Sequence, residues 1–201
     1  MRRLEDVKLY IKEHKDYFMI ADIYQNLEKY ILINNENKNN FYNNQKQTIE
    51  LGKSFVNATN DNIAKSILFH EIAHLIFNDE SVSYIKCFFP KYQIYSILRE
   101  VRADLFSKEL LNNDFDNRYI DNDTYINNND YKYGYLNKED RLAIIQNNKS
   151  FTDDNLWEQL EKILIDKYGY HKKMVEYKAK PYYKKLLNQY KERVISTNQK
   201  Y

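Results

Sequence analysis

The chain has 201 residues, 43% of them apolar and 30% charged, with a formal net charge of +2. That is apolar content enough for one domain with its own core, and a charge balance that by itself points to no partner. The single cysteine, Cys87, excludes an intrachain disulfide and reads as a small buried apolar residue. No apolar run approaches a secretion signal or a membrane span, so a cytoplasmic location is expected.

In chain order, "RLEDVKLYIKEHKDYFMIADIYQNLEKY" places Leu4, Val7, Tyr10, Ile11, Phe18, Ile20, Ile23 and Leu27 at a rough helical period, which predicts one or two N-terminal helices. "YILIN" reads as a short strand, "NENKNNFYNNQ" as an Asn-rich loop, and "TIELGKSFV" as an exposed or edge strand, with Ile49, Leu51 and Phe55 at even spacing. The caps in "NATNDN" open a helix from about Asn62 to Phe77, and a second helix is expected from about Ile94 to Leu111. A polar surface loop follows. Beyond it, "FTDDNLWEQLEKILIDKYG" predicts a helix capped near Thr152 or Asp153 and stopped by Gly169, and an amphipathic segment after Pro181 closes the chain. The expected fold is α+β: a single domain over residues 1–201, with a small mixed sheet, a core at about 31–111 and a helical C-terminal part at about 138–201.

The helix "SILFHEIAHLIFNDE" carries His70, Glu71 and His74 among Ile67, Leu68, Phe69, Ile72, Ala73, Leu75, Ile76 and Phe77. Each helical residue turns about 100°, so His74 lies about 40° and Glu71 about 100° from His70. All three share one arc. Two imidazoles at i and i+4 can address one zinc ion while the intervening Glu stays free to act as a general base, and a metal relieves the cost of burying such groups. A third ligand is needed. Glu80 lies a suitable distance along the chain, but the turn it requires falls at Phe77, which resists positive φ. Glu100 is the better candidate. It sits four residues before Asp104 on the second helix, at the border of the stripe formed by Ile94, Ile97, Leu98, Val101 and Leu105. Asp104 is then placed to accept a hydrogen bond from the outer nitrogen of a ligating histidine.

"HEIAH" followed by "EVRADLFSKELL" resembles the ImmA/IrrE family of bacterial and phage metallopeptidases, whose second motif is Glu-x-x-Ala-Asn/Asp-x-Phe-Ala-x-x-Leu-Leu. Glu100, Ala103, Asp104, Phe106, Leu110 and Leu111 match it, while Ser107 stands for the usual Ala and "NND" for the usual Met-Pro. The resemblance covers residues 31–111. It implies a zincin-like domain of the gluzincin type, with Zn2+ held by His70, His74 and Glu100, and Glu71 as catalytic acid/base. The implied activity is hydrolysis of a peptide bond in a protein or peptide substrate, such as a DNA-binding repressor. A second resemblance, to lethal-factor-like peptidases, implies a toxin-like protease released or injected by another route. A binding module that keeps the scaffold without turnover is the third alternative.

Such a peptidase also needs a group to stabilise the oxyanion, for which Tyr95, Tyr92 and His171 are the candidates, and "TIELGKSFV" is the expected edge for strand addition by an extended substrate. Residues 171–201 hold nine Lys/Arg and two Asp/Glu, a net +7, leaving −5 for residues 1–170. This Lys/Tyr-rich end is compatible with single-stranded nucleic acid or a membrane surface. Its apolar spacing, through Tyr182, Tyr183, Leu186, Leu187, Tyr190 and Val194, reads instead as a solvated amphipathic helix lying on the body.

Overall fold

The computed structural model describes residues 1–80, 86–122 and 134–195. The Cys87 side chain and residues 123–133 of the expected polar loop lie outside the described residues. Three helices, α1 (Leu4–Lys12), α2 (Phe18–Gln25) and the single turn α3 (Leu27–Tyr30), fill the segment in which one or two were expected. Val7, Tyr10, Ile11, Ile20, Ile23 and Leu27 are buried, as their period requires.

Strands β1 (Ile31–Ile33), β2 (Phe41–Asn43) and β3 (Thr48–Leu51) form a mixed sheet in the order β1-β3-β2, with β3 parallel to β1 and antiparallel to β2. Two expectations change here. The Asn-rich loop contains β2, and the strand expected at an edge, β3, lies in the centre of the sheet. Its register pairs Ile49 with both Ile31 and Tyr42, so the alternation of Ile49 and Leu51 marks one buried face and says nothing about free edges. Nor does the strand continue through Phe55. It stops at Gly52, where a Cβ would collide with the carbonyl oxygens of Asn39 and Asn37, and the chain turns into the short helix α4 (Lys53–Val56).

The helix α5 (Asp61–Phe77) begins where Asn60 Oδ1 accepts a 2.8 Å hydrogen bond from the Ile63 amide. It is buried nearly all round, with β2 and β3 packed against it, and α6 (Pro90–Leu111) as its main helical neighbour. α6 starts four residues earlier than expected because Pro90 occupies its first turn, where a missing amide proton costs nothing. The loop after α6 was expected at the surface. Instead its short 3₁₀ segment Asn117–Asn122 buries Tyr119 and Ile120.

The C-terminal part comprises α7 (Lys138–Asn147), α8 (Leu156–Lys162), the one-turn α9 (Lys172–Met174) and α10 (Lys180–Tyr190). Widened π turns follow α8, α9 and α10, at Ile163–Lys167, Val175–Ala179 and Lys191–Ile195. α8 starts later than predicted, at Leu156 with Asn155 as its N-cap residue; Asp153, one of the two expected caps, instead accepts from the preceding Lys149 amide at 2.6 Å. Gly169, at φ +68°, ends the π turn after α8 as expected. Tyr183, Leu186, Tyr190 and Val194 are buried, and Tyr190 stacks on Phe77 with ring centroids 5.6 Å apart. One apolar cluster therefore runs from Val7 to Val194. The architecture is α+β and mostly helical. No helix among the described residues is long and apolar enough to cross a membrane.

Candidate metal centre

α5 and α6 pack so that His70, His74 and Glu100 converge. Their ligand atoms all lie within 4.8 Å of one another. His70 Nε2 is 3.2 Å from His74 Nε2 and 3.2 Å from Glu100 Oε2, and His74 Nε2 is 3.6 Å from Glu100 Oε1. An ion held tetrahedrally by nitrogen and oxygen about 2.0–2.1 Å away sets its ligands about 3.3 Å apart. The two separations from His70 Nε2 are close to that edge, while the third runs to the other Glu100 oxygen, so the carboxylate faces the centre with both of its oxygens. Two imidazole nitrogens and a carboxylate are also a donor set suited to zinc among the common divalent ions. Glu71, the next residue along α5, is buried beside them.

Each imidazole presents its other nitrogen to a second carboxylate. His70 Nδ1 lies 2.8 Å from Asp104 Oδ1, although the N–H direction is off line, so charge and proximity hold this pair more than an aligned hydrogen bond does. His74 Nδ1 lies 3.0 Å from Asp79 Oδ2. Two arginines stand behind these carboxylates. Arg141 Nε and Nη2 donate to the two Asp104 oxygens, each at 2.7 Å, and Arg102 Nη2 donates to Asp79 Oδ1. The Tyr119 hydroxyl also donates to Asp104 Oδ1, with its ring 5.9 Å from that of His70.

The electrostatics follow from burial against these partners. Burial disfavours the charged imidazolium of His70, but Asp104 and Glu100 outweigh it and raise the group to about 9. For His74 burial again acts downward, and Glu100 and Asp79 raise the group to about 10. Glu100 is held well below the usual carboxylate range: burial pushes it up, and the two histidines more than offset that. Asp104 falls to about 2, with burial overcome by Arg141 and then His70. The pocket thus demands positive charge at its centre, from protons on the imidazoles or from a metal cation in their place.

The remaining sequence candidates have the following surroundings. Glu80 is exposed, and its contact with α6 runs through its backbone carbonyl, which accepts from Arg99. The left-handed turn that ends α5 comes at Asn78, φ +52°, one residue past Phe77, and it brings Asp79 back to His74. Tyr95 stacks on Tyr182 at 3.9 Å and meets Tyr92 edge-on at 6.3 Å, and the Lys91 ammonium lies over both the Tyr92 and Tyr95 rings. His171 caps α9, its Nδ1 accepting from the Lys173 amide at 3.2 Å. Asp79, Arg102, Tyr119 and Arg141 were not singled out by the sequence reading. The one local signal was the acidic "NDE" immediately after a helix that ends in a C-cap Asn. No protein-family model, curated protein or solved structure matches the chain.

Proposed function

We propose that the chain is a zinc-dependent endopeptidase with a zincin-like site of the ImmA/IrrE type, cutting a regulatory protein such as a transcriptional repressor. The carrying observation is the convergence of His70, His74 and Glu100, with one ligand atom of each within 4.8 Å of the others and Glu71 adjacent on the same helix. Zinc, when bound, supplies Lewis acidity that polarises a scissile carbonyl and makes a nearby water easier to deprotonate. Glu71 accepts the proton of that water and delivers it to the leaving amine. Asp79 by hydrogen bond and Asp104 by the nearness of its charge favour a proton on Nδ1 of each imidazole, which leaves Nε2 for the ion. Of the two edge strands, β2 packs on α5 and ties to its C-cap through Tyr42, whose hydroxyl lies 3.2 Å from Asn78 Oδ1. An extended substrate adding to β2 would be read mainly through its backbone.

The test compares wild type with Glu71→Gln on a whole bacterial proteome, by labelling newly formed N-termini and measuring bound zinc. Expected are new N-termini with wild type only, and one zinc per chain in both proteins. Cleavage that persists with Glu71→Gln, or a wild type that takes up no zinc, overturns the reading.

A further inference from the structure

Behind each histidine the same order repeats: imidazole, carboxylate, guanidinium. On one side stand His70, Asp104 and Arg141; on the other, His74, Asp79 and Arg102. Both arginines are buried, Arg102 at 0% and Arg141 at 2% exposure. A buried ion pair is a weak source of stability, since apolar side chains of similar size often serve as well. Two such pairs, both ending on a candidate ligand, therefore call for a reason beyond stability. Their shared position supplies it.

Each arginine also reaches a separate part of the fold. Arg141 comes from α7, outside the segment that resembles a known family, and it grips Asp104 with a two-pronged fork. That geometry fixes the rotation of the carboxylate as well as its charge. Arg102 lies two residues after Glu100 on α6, packs over the Phe77 ring at 4.0 Å and donates through Nη1 to Gln189 Oε1 on α10 at 3.1 Å. Around it, Arg193 donates to the Ile76 carbonyl near the end of α5, and Tyr190 donates to Glu109 Oε2 at 2.7 Å. The C-terminal helices are thus bonded to the two elements that carry the site.

We propose that Arg141 and Arg102 are positioning residues of the metal centre, locking Asp104 and Asp79 so that each orients its histidine toward the ion. The proposal rests on the zinc reading given above. A carboxylate free to rotate can accept from the imidazole in several orientations, whereas one held by a guanidinium presents a fixed oxygen to Nδ1 and leaves Nε2 aimed inward. On this view α7 and α10 are structural parts of the site.

The experiment measures zinc affinity of the full chain by chelator competition, and the visible absorption of the cobalt-substituted protein, which reports ligand orientation. Arg141→Lys and Arg102→Lys keep the charge and remove the planar guanidinium, with its two-pronged grip on Asp104 in the first and its bridge from Asp79 to Gln189 in the second. Leu160→Ala, in the fully buried core of α8, is the control that destabilises the C-terminal part without touching either arginine. Each Lys variant is expected to bind zinc about 10-fold more weakly, with an altered cobalt spectrum, as for other outer partners of metal ligands. The control keeps wild-type affinity and spectrum. Circular dichroism with chelator present identifies the folded variants; should Arg141→Lys not fold, Arg102→Lys carries the test. Lys variants that fold and retain wild-type affinity and spectrum overturn the proposal, as does a control that loses as much affinity as they do. A wild type that binds no zinc overturns the metal reading itself, and is distinguished by failing before any variant is compared.

Discussion

Among the described residues Glu100 is the carboxylate that both histidines face, and it favours their charged forms together with Asp104 at His70 and Asp79 at His74. In the metal-free protein, His70 and His74 sit at about 9 and about 10, above the ordinary value near 6.5 that they have when unfolded. A group raised on folding contributes stability that is fully present below its unfolded value and is lost as pH rises through its folded value. Thermal unfolding with chelator present should therefore show stability falling from about pH 6.5 toward pH 10. Zinc requires the same two nitrogens without protons, so its effect on Tm should grow across that window. A chelated protein whose Tm is flat from pH 6.5 to 10 contradicts this account. The spacing of His70 and His74 was legible at this scale, because a helix alone brings i and i+4 together. The two arginines were not, because an arginine in sequence reads as a solvated flank until its buried carboxylate is located.

At the scale of the element, the ends of α5 do as much as its middle. Asn60 caps the first turn, so Asn60→Ala should cost about 1 kcal/mol in urea unfolding. At the other end, Asn78 adopts the left-handed conformation, and its Oδ1 accepts from Tyr42, Asn44 and Gln47 at 3.2, 2.7 and 2.9 Å. Both Asn78→Ala and Asn78→Gly lose these bonds, but glycine tolerates positive φ. The alanine variant should be the less stable of the two by about 1 kcal/mol; equal stabilities would show that the turn is not what the asparagine supplies. This turn is also where Asp79 acquires its place beside His74. Helix and strand identities were largely readable from period and caps, whereas β2 was hidden in an asparagine-rich stretch whose composition signals a turn. The pairing order was hidden as well, since alternation reports a buried face and not a neighbour.

Across the whole molecule, the C-terminal helices complete the core that the first part leaves open. Leu160, Leu164, Val175, Ala179 and Tyr190 are fully buried, and Tyr190 meets Phe77, Phe106 and Phe151. A chain ending at Asn137 would expose the apolar face of α6 and leave Asp104 without Arg141, an uncompensated buried charge. Such a truncation should show no cooperative unfolding transition by circular dichroism, with or without zinc; a cooperative one would mean that residues 1–137 fold unaided. The basic charge of this end sits on a helix that packs through its aromatic and aliphatic side, with Lys184, Lys185 and Lys191 exposed.

What the sequence by itself determined were the relations that a single helix enforces. His70, Glu71 and His74 share one arc, and Glu100 and Asp104 lie one turn apart, because about 3.6 residues per turn leave no other choice. Only the tertiary structure decided that these two helices face each other, that Asp79 backs His74, that Arg141 and Arg102 brace the carboxylates, and that β3 is central. Those relations join residues far apart in the chain through packing and long-range charge pairing, for which no local period exists.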